Sequence, residues 1–347
     1  MRKFTVFSGF RGSGKTTAMM ALTRFAPRIA MISNDLGEGV TLADHRLAAL
    51  SGCRASEITD ECICFCHGVL TERLGRYFDE GCERVVSDIP GFGVGALEHV
   101  YHGLTAECPG AFELGPFTVL TEPRNVERLQ KGGDSMDAIL DAQLREADLI
   151  VLNKCDLLTP PEREAALAYL RERYPEARAL ALSALTGEGL AELCRALTEG
   201  SASLRHPAID YDGDQLQDAM GSLSEYYLQY HAAVCCLDFD GTAYLLDMAE
   251  RARQAFLAAG YEIPHLKLLA WDAEGDYAKV DLIGTDRPME FTRRFTKPCR
   301  DIAVLLNASA VCPADRLEEI VAGAAEAVSE KYQLELTVFK SESMGMG

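Results

Sequence analysis

The sequence predicts an α/β protein in which a doubly wound, mainly parallel sheet is followed by a smaller α+β domain. Up to about residue 200, short apolar runs alternate with helical stretches, and each run ends in a polar or Gly-rich turn, as in a parallel sheet covered by helices. The stretch Glu199 to Asp214 is rich in Ser, Gly, Pro and Asp and has no apolar period. A different pattern follows it. We therefore expect a first domain over residues 1–200, a linker over 201–214 and a second domain over 215–347.

The first domain is predicted from apolar runs that are nearly all continuously hydrophobic, which suits strands buried on both faces. Helical patterns lie between them, such as Ser135–Ala147 and Pro160–Tyr174. The second of these helices carries prolines at its start, where the missing N–H does no harm. The predicted strands are Phe4–Phe7, Arg28–Ser33, Arg84–Ser87, Phe117–Leu120, Leu149–Leu152 and Ala179–Leu182.

The second domain is predicted to follow the order β-α-β-β-α-β, the ferredoxin-like arrangement, with one extra strand. Its last strand alternates Leu334, Leu336 and Val338 inward with Glu335 and Thr337 outward, which indicates an antiparallel sheet with one wet face. The predicted elements are strand Ala232–Phe239, helix Thr242–Ala259, strands Leu266–Trp271, Ala278–Ile283 and Ile302–Asn307, helix Pro313–Tyr332 and strand Leu334–Phe339.

Charge and composition exclude several classes of partner. Acidic residues outnumber basic ones, 53 against 34, and the formal net charge of -19 disfavours phosphate backbones and anionic lipid. We therefore expect no nucleic-acid partner and no membrane association. No apolar run is long enough to span a bilayer, and the N-terminal apolar stretch is too short for a signal peptide, so we expect a cytoplasmic protein. In such a protein, clustered cysteines among the twelve present favour metal binding over disulfides.

The most specific motif is Gly9-Phe10-Arg11-Gly12-Ser13-Gly14-Lys15-Thr16, a full match to G-x-x-x-x-G-K-[ST]. It stands directly after a predicted strand and before the helical stretch Thr17 to Phe25, as a phosphate-binding loop requires. The glycines let backbone N–H groups wrap the phosphates at a helix N-terminus. Lys15 is expected to reach the β and γ phosphates, and the Thr16 hydroxyl to bind Mg²⁺. The motif predicts a P-loop nucleoside triphosphatase.

A second phosphate motif is expected where the strand beginning at Arg84 ends. It delivers Asp88 three residues before Gly91, where a Walker B carboxylate binds Mg²⁺ and a glycine amide senses the γ phosphate. The alternative is a strand that ends in an ordinary Asp-x-Pro-Gly turn.

A base-recognition motif follows the strand Leu149–Leu152 as Asn153-Lys154-Cys155-Asp156. The Asp156 carboxylate can accept both N–H groups of the guanine Watson–Crick edge, which adenine cannot offer, and this makes discrimination large. Asn153 is expected to reach the opposite edge, and the Lys154 stem to pack on the base. Ser183 and Ala184 follow the sixth strand, so that the Ala184 amide can contact the guanine oxygen.

A cysteine cluster lies between the two phosphate motifs, with Cys62, Cys64 and Cys66 at alternate positions. Thiolates suit Zn²⁺ or another late transition metal such as Co²⁺ or Ni²⁺. In an extended strand Cys62 and Cys66 would lie about 13 Å apart, so the segment must turn to hold one ion. The alternative is three buried or idle thiols. His99 and His102, three residues apart on a predicted helix, could face one ion, and the alternative is an ordinary amphipathic surface.

With these motifs in this order, the first 200 residues resemble the CobW-type GTPases, relatives of the nickel-enzyme maturation proteins HypB and UreG. The resemblance is tightest at Gly9–Thr17 and continues at Ser33–Glu38, which resembles the family's Asn-Glu-x-Gly-Glu segment. It implies GTP and Mg²⁺ binding, slow GTP hydrolysis to GDP, and a divalent metal carried on a Cys-x-Cys-Cys motif for delivery to a client. Cys62 and Cys64 match the first two positions of that motif. Its third position holds Phe65, and the thiol is displaced to Cys66.

The leading hypothesis is a GTPase whose GTP-bound state folds the cysteine segment around one metal ion and whose GDP state releases it. Lys15 and Mg²⁺ would stabilise the transferring phosphoryl group, and Asp35 is a candidate for positioning the attacking water or the metal. Arg11, expected to project from the P-loop, is a candidate arginine finger, either within the chain or across a nucleotide-dependent homodimer.

Two alternatives stay open at this point. One is a GTPase chaperone that matures or reactivates a cofactor enzyme, for example a corrinoid-dependent one, without metal cargo. The other is a zinc buffer or sensor in which GTP is only a structural ligand. The expected partner is a client metalloenzyme in the leading hypothesis and a cofactor enzyme in the first alternative.

Overall fold

The structure is a computed structural model that describes residues 2–36, 43–133, 136–234, 237–261 and 265–345. It divides into two compact units. One unit contains the chain up to residue 36 together with Ser51–Ala219, and the other contains residues 43–50 together with the chain from Met220. Within the described residues, no helix is long and apolar enough to cross a membrane.

The first unit is built on a parallel sheet with the strand order β3-β2-β4-β1-β6-β7-β8, and β5 pairs with β1. The central strands β1 and β2 are buried along their whole length, as their unbroken apolar runs predict. Each of the six predicted strands falls on an observed strand within one or two residues. The strands are β1 (Lys3–Ser8), β2 (Ile29–Asn34), β3 (Ala55–Ile58), β4 (Arg84–Asp88), β5 (Glu113–Leu114), β6 (Thr118–Thr121), β7 (Leu149–Leu152) and β8 (Arg178–Ala181).

Two strands of this sheet were not predicted. β3 reads Ala-Ser-Glu-Ile and is only half buried over most of its length, and β5 has two residues. Neither contains an apolar run, because β3 lies at the edge of the sheet and β5 pairs only with the start of β1. Hydrophobic patterning therefore cannot find them.

The three helical stretches predicted in this region fall on observed helices: Thr17–Phe25, Pro160–Tyr174, and Ser135–Ala147 from Asp137 onward, since residue 135 lies outside the described part of the chain. A capping box between Thr159 and Glu162 and a proline at the first helical position begin the helix at Pro160. The helices are α1 (Lys15–Phe25), α2 (Ala43–Leu50), α3 (His67–Asp79), a π-helix (Leu97–His102) that continues into α4 (Gly103–Glu107), α5 (Pro123–Lys131), α6 (Asp137–Glu146), a 3₁₀ turn (Cys155–Leu157), α7 (Pro160–Arg173), α8 (Leu190–Glu199) and α9 (Asp214–Gly221).

The polar stretch expected as a linker, 201–214, has no regular secondary structure before α9. It belongs to the first unit, which extends to Ala219. Ser203 Oγ donates to Asp148 Oδ1 at 2.5 Å, and the Arg205 guanidinium donates to the same oxygen at 3.1 Å. Further along, Tyr211 Oη donates to Glu146 Oε1 at 2.8 Å. This segment is therefore fixed on the first unit by its polar side chains.

The second unit is an antiparallel sheet with the strand order β12-β11-β10-β13-β9-β14, and two helices pack on it. Its four strands β14-β9-β13-β10 have the ferredoxin-like order, extended by β11 and β12. The strands are β9 (Leu223–Val234), β10 (His265–Trp271), β11 (Tyr277–Leu282), β12 (Glu290–Arg293), β13 (Asp301–Val311) and β14 (Leu334–Gly345), and the helices are α10 (Gly241–Ala259) and α11 (Ala314–Tyr332).

The prediction for the first strand of this unit was wrong in its position. The expected strand Ala232–Phe239 overlaps only the end of β9, which begins nine residues earlier, and residues 235 and 236 lie outside the described part of the chain. In β9, Tyr226, Leu228 and Tyr230 alternate into the core, and the residues between them are Tyr227 and the polar Gln229. The strand has apolar residues at alternate positions and no long continuous apolar run, so apolar runs do not predict it.

The last strand also departs from expectation at one residue. Leu334 and Leu336 pack against the core as predicted, whereas Val338 is 53% exposed. The pairing of β14 with β9 shifts register between Val338 and Lys340. Such an irregularity breaks the strict alternation of faces, so the inward pattern ends there.

Helix α2 belongs to the second unit although it lies between β2 and β3 in the sequence. Lys267 on β10 donates to Asp44 Oδ2 at 2.6 Å, and the Arg46 guanidinium lies 4.5 Å from the centre of the Trp271 ring. These contacts join α2 to the sheet through charge and cation–π interactions.

Candidate functional site

The P-loop connects β1 to α1, and its glycines adopt backbone conformations that other residues avoid. Gly9 has φ +130°, and a Cβ at this position would lie 2.1 Å from the Leu120 carbonyl oxygen. Gly14 has φ 88° and is the N-cap of α1. The Lys15 ammonium donates to the Gly9 carbonyl at 2.6 Å, so it lies inside the loop. The remaining residues expected here are Gly12 with φ 81°, the buried Ser13, the half-buried Thr16 and the exposed Thr17.

The two side chains expected to bind Mg²⁺, Asp88 and Thr16, come at the end of β4 and after the P-loop. Asp88 ends β4, which pairs with β1 so that Phe7 stands opposite Asp88. Thr16 lies in the first turn of α1, directly after the loop. A hydroxyl and a carboxylate are the hard donors that Mg²⁺ takes beside phosphates. Asp88 is buried and accepts the Asn34 amide at 2.9 Å through Oδ1.

Arg11 does not project from the loop, and that expectation was wrong. Its side chain is only 7% exposed, with the guanidinium 3.8 Å from Asp35 Oδ1 and 5.3 Å from the centre of the Phe92 ring. A Cβ on Gly91 would lie 2.2 Å from Arg11 Cγ. The absence of a side chain at Gly91 therefore lets the turn at Gly91 lie directly against the P-loop.

Two buried side chains of α6 hold this turn, and sequence reasoning missed both. Gln143 Nε2 donates to the Gly91 carbonyl at 3.2 Å. Glu146 accepts hydrogen bonds from the Gly95 amide and the Tyr211 hydroxyl. Both side chains are fully buried, so both lie on the apolar face of α6. Polar residues on an apolar helix face are the sequence feature that could have identified them.

Burial dominates the titration of Glu146. It raises the pKa of Glu146 to about 7, against hydrogen bonds from Tyr211 and from the amides that begin the π-helix, which lower it. A carboxylate at a helix N-terminus is ordinarily favoured by the helix dipole, but the loss of hydration outweighs that here.

The Asn153 side chain joins two loops by hydrogen bonds. Its Nδ2 donates to the Ser13 carbonyl at 2.8 Å, and its Oδ1 accepts the Ala184 amide at 3.0 Å. The side chain thus joins the P-loop to the loop after β8. We expected the Asn153 and Ala184 groups to meet the base, and in this structure they bond each other.

The neighbouring residues of this motif occupy the same edge of the sheet. Lys154 has a left-handed backbone and an ammonium 3.0 Å from Glu122 Oε2. Glu122 is buried at the end of β6 and was not identified from the sequence, where it follows the strand directly. Asp156 is exposed, whereas Ser183 is buried and its hydroxyl accepts the Thr186 amide.

The cysteine segment turns, as metal binding would require. The Phe65 amide donates to the Cys62 carbonyl at 2.9 Å, which closes the turn. Cys62 Sγ and Cys64 Sγ lie 2.8 Å apart and both residues are buried. Cys66 Sγ points at the Cys62 carbonyl oxygen, 3.4 Å away, and Phe65 is 67% exposed. Two of the three thiols are therefore already together.

The paired thiols differ in acidity. The hydrogen bond between the two thiols lowers the pKa of Cys62, against the opposing effect of burial. The same bond raises the pKa of Cys64, and burial adds to this. Burial raises the pKa of Cys66 to about 11. Cys62 is thus the more acidic thiol of the pair, and thiolates are the metal-binding form.

Asn34 connects Asp88 to the cysteine segment, and its role was not predicted. Its backbone amide binds Asp88, while its side-chain Nδ2 donates to the carbonyls of Ile58 at 3.1 Å and Glu61 at 2.9 Å. Its Oδ1 accepts the Ile63 amide at 3.0 Å. One buried amide therefore holds the chain on both sides of the first cysteine.

His99 and His102 contact different side chains, so the pair considered from the sequence is not formed. The His99 ring lies 5.5 Å from the ring of Phe65, whereas the His102 ring stacks on that of His206 at 4.4 Å. The helix over Leu97–His102 is a π-helix, whose wider turn places residues four apart more nearly in line than residues three apart. Glu98 and His102 are therefore the pair that faces one point.

Comparisons with known proteins identify the first unit. Residues 3–181 match the family model for the CobW/HypB/UreG nucleotide-binding domain. A hydrogenase maturation factor HypB from Azotobacter chroococcum mcd 1 is 29% identical over 191 residues, which are 52% of this chain and 54% of that protein. The chain therefore spans about half the length of this relative.

Two solved structures are similar to this chain. Zn(II)-bound YjiA GTPase from E. coli has 15% identity and a TM-score of 0.38, with 93% of this chain and 98% of that chain covered. HypB from Helicobacter pylori in complex with nickel has 19% identity and a TM-score of 0.41, with 56% of this chain and 85% of that chain covered. Both TM-scores lie below 0.5, so the assignment rests on the sequence match. That match extends over half of the chain, and the protein belongs to the CobW/HypB/UreG family of P-loop GTPases.

Proposed function

We propose that this GTPase is a metallochaperone, which binds one divalent transition metal at Cys62, Cys64 and Cys66 in its GTP state and releases it to a client enzyme after hydrolysis. The observation that carries the proposal is the buried Cys62–Cys64 pair, with Sγ atoms 2.8 Å apart, joined to the carboxylate of Asp88 through Asn34.

The cysteine turn suits a metal with small adjustments. Two thiolates on one tetrahedral ion with bonds of about 2.3 Å lie about 3.8 Å apart. The Cys62 and Cys64 sulfurs need to separate by about 1 Å from their present 2.8 Å. The Cys66 thiol, now directed at a carbonyl oxygen, would rotate to join them. Zn²⁺, Co²⁺ and Ni²⁺ are the ions that such ligands favour.

Asp35 is proposed as a further ligand or as the group that positions the attacking water. It sits at the end of β2, and its charge acts on the Cys62 thiol, raising that pKa as a minor contribution. The Arg11 guanidinium lies 3.8 Å from the Asp35 carboxylate. The burial of Arg11 favours a role within its own chain over one across a dimer.

Nucleotide and metal would be coupled through Asn34. Thr16 and Asp88 would hold Mg²⁺, which supplies charge stabilisation to the γ phosphate when bound. Binding of Mg²⁺ to Asp88 would change the hydrogen bond that Asp88 accepts from the Asn34 amide. The Asn34 side chain holds the segment around Cys62, so the change would reach the cysteines. By linkage, GTP and the cargo ion then raise each other's affinity by the same factor.

The test is metal affinity in two nucleotide states. Competition with a chromophoric chelator for Zn²⁺ is compared between protein loaded with Mg²⁺ and a non-hydrolysable GTP analogue and protein loaded with Mg²⁺ and GDP. We expect at least tenfold tighter binding in the GTP-like state, a coupling of about 1.4 kcal/mol, lost in Cys64→Ser. Cys299→Ser, at another buried cysteine, is the matched control.

Other outcomes distinguish the alternatives. Equal affinities in the two states, with GTP hydrolysis intact, would contradict the metal switch and favour a GTPase chaperone without metal cargo. Nucleotide-coupled binding without detectable hydrolysis, even with a client present, would favour a zinc buffer or sensor. The variant Asn34→Ser tests the coupling through Asn34. Zn²⁺ affinity that is retained in this variant, with a ratio between the GTP-like and GDP states close to one, would support that coupling.

A further inference from the structure

A second cluster of metal-ligating side chains lies outside the nucleotide and cysteine sites. Glu98, His102 and His206 each present one ligand atom, and these atoms all lie within 4.8 Å of one another. Glu98 Oε2 is 2.9 Å from His206 Nδ1 and 3.7 Å from His102 Nε2. All three residues belong to the first unit.

Local structure fixes the geometry of this cluster. Glu98 and His102 are four residues apart on the π-helix, which brings their side chains to one point. His206 comes from the segment 201–213, which binds the same unit through Arg205 on one side and Tyr211 on the other. The histidine is therefore held at the π-helix by its neighbours in sequence.

The distances suit one ion. Ligands bound to a tetrahedral Zn²⁺ through bonds of about 2.0–2.1 Å lie about 3.3 Å apart, and the two separations from Glu98, 2.9 and 3.7 Å, bracket that value. The His102 and His206 rings, stacked in this structure, would turn to direct their nitrogens at the ion. His102 Nε2 is shielded from solvent and, within the part of the chain that the structure describes, has no hydrogen-bond partner. A buried nitrogen without a partner carries a cost that a metal bond would remove.

We propose that Glu98, His102 and His206 bind one divalent transition metal ion, of the Zn²⁺, Co²⁺ or Ni²⁺ class, with a fourth position open to water or to an incoming ligand. Three protein ligands with an open position are the arrangement of exchangeable zinc sites, whereas closed structural sites have four. Two imidazoles and a carboxylate bind less selectively than thiolates, so this site differs in chemistry from the cysteine turn.

The ion would connect two parts of the first unit. The π-helix follows the turn at Gly91 and begins at the amides held by Glu146, so it lies directly after the phosphate-sensing segment. His206 lies on the segment that leads to α9 and the second unit. Metal bound here ties these two segments together. The inference does not depend on metal delivery by the cysteines.

The test uses Co²⁺ and Zn²⁺ as probes on the full chain with Cys62, Cys64 and Cys66 all changed to Ser. We expect one Co²⁺ per chain with visible ligand-field absorption and no thiolate charge-transfer band, displaced by Zn²⁺. Adding His206→Ala should weaken Zn²⁺ binding at least tenfold. His206 is 72% exposed, so its removal leaves the fold intact, which thermal unfolding without metal will verify.

His231→Ala is the matched control, since His231 is an exposed histidine that also pairs with a carboxylate, Asp301 at 3.2 Å. It should leave Zn²⁺ affinity unchanged. Failure of the triple Ser variant to bind Co²⁺, or equal affinity in His206→Ala and His231→Ala, would overturn the site and would leave the result for the cysteine turn untouched.

Discussion

Replacing Glu146 with Gln should change how stability depends on pH. Burial raises the pKa of Glu146 from 4.5 to about 7 in the folded protein. Between these values the folded protein keeps a proton that the unfolded chain has lost, so stability falls as pH rises. At about 1.4 kcal/mol for each pKa unit, the loss amounts to about 3 kcal/mol and is complete above pH 7.

The substitution is conservative in geometry. The Gly95 amide and the Tyr211 hydroxyl both donate to the same oxygen, Oε1, which the carbonyl of Gln can replace. Glu146→Gln should therefore show no such loss, and its stability advantage over the native protein should grow by about 3 kcal/mol from pH 4.5 to pH 7.

The assay is urea unfolding of nucleotide-free protein from pH 5 to pH 9, read by pulse proteolysis with cleavage sites in the first unit identified by mass. Glu164→Gln, on the exposed face of α7, controls for the removal of one carboxylate from the surface. A difference between native protein and Glu146→Gln that stays flat across this range would refute the reasoning, because it would mean that Glu146 is not held as a buried acid.

Two further substitutions test the nucleotide site. Gly91→Ala places a Cβ 2.2 Å from Arg11 Cγ and 3.0 Å from the Arg11 amide, so single-turnover GTP hydrolysis should fall at least tenfold; Gly75→Ala, where a Cβ meets nothing within 4 Å, should leave it unchanged. Asn153→Ala removes both bonds that join the P-loop to Ala184 and should cost about 1–3 kcal/mol of stability and at least tenfold in GDP affinity by fluorescent-nucleotide titration. Asn125→Ala, at another buried asparagine, should spare GDP affinity; equal effects of the two would refute the assignment.

Much of the first unit could be predicted from the sequence because its determinants are local. The P-loop depends on glycines at fixed offsets between a strand and a helix, and the strands beside it are unbroken apolar runs such as β1 and β2. In a parallel sheet the strand ends that carry Asp88 and Asn153 necessarily lie at the same edge as the loop. Motif order therefore sufficed to predict the family and the nucleotide edge.

Predictions that relied on apolar runs or ideal helical spacing were less reliable. β9 was misplaced because polar residues such as Gln229 interrupt its apolar residues, and Val338 is exposed because the pairing with β9 shifts register there. His99 and His102 were grouped on the spacing of an α-helix, whereas the chain forms a π-helix at this point. Each departure arises from pairing or packing that a residue pattern does not encode.

The sequence by itself determined the class of protein, the P-loop, the strand-end motifs and the presence of clustered thiols. Only the tertiary structure decided which thiols are paired, that Asn34 links Asp88 to the cysteine turn, and that His206 stands beside Glu98 and His102. The physical reason is the distance along the chain between the residues that interact. Backbone conformation in a loop depends on neighbours a few residues away, whereas a hydrogen bond from residue 34 to residue 88 or a contact from 102 to 206 exists only after the sheet has assembled and fixed the segments that carry them.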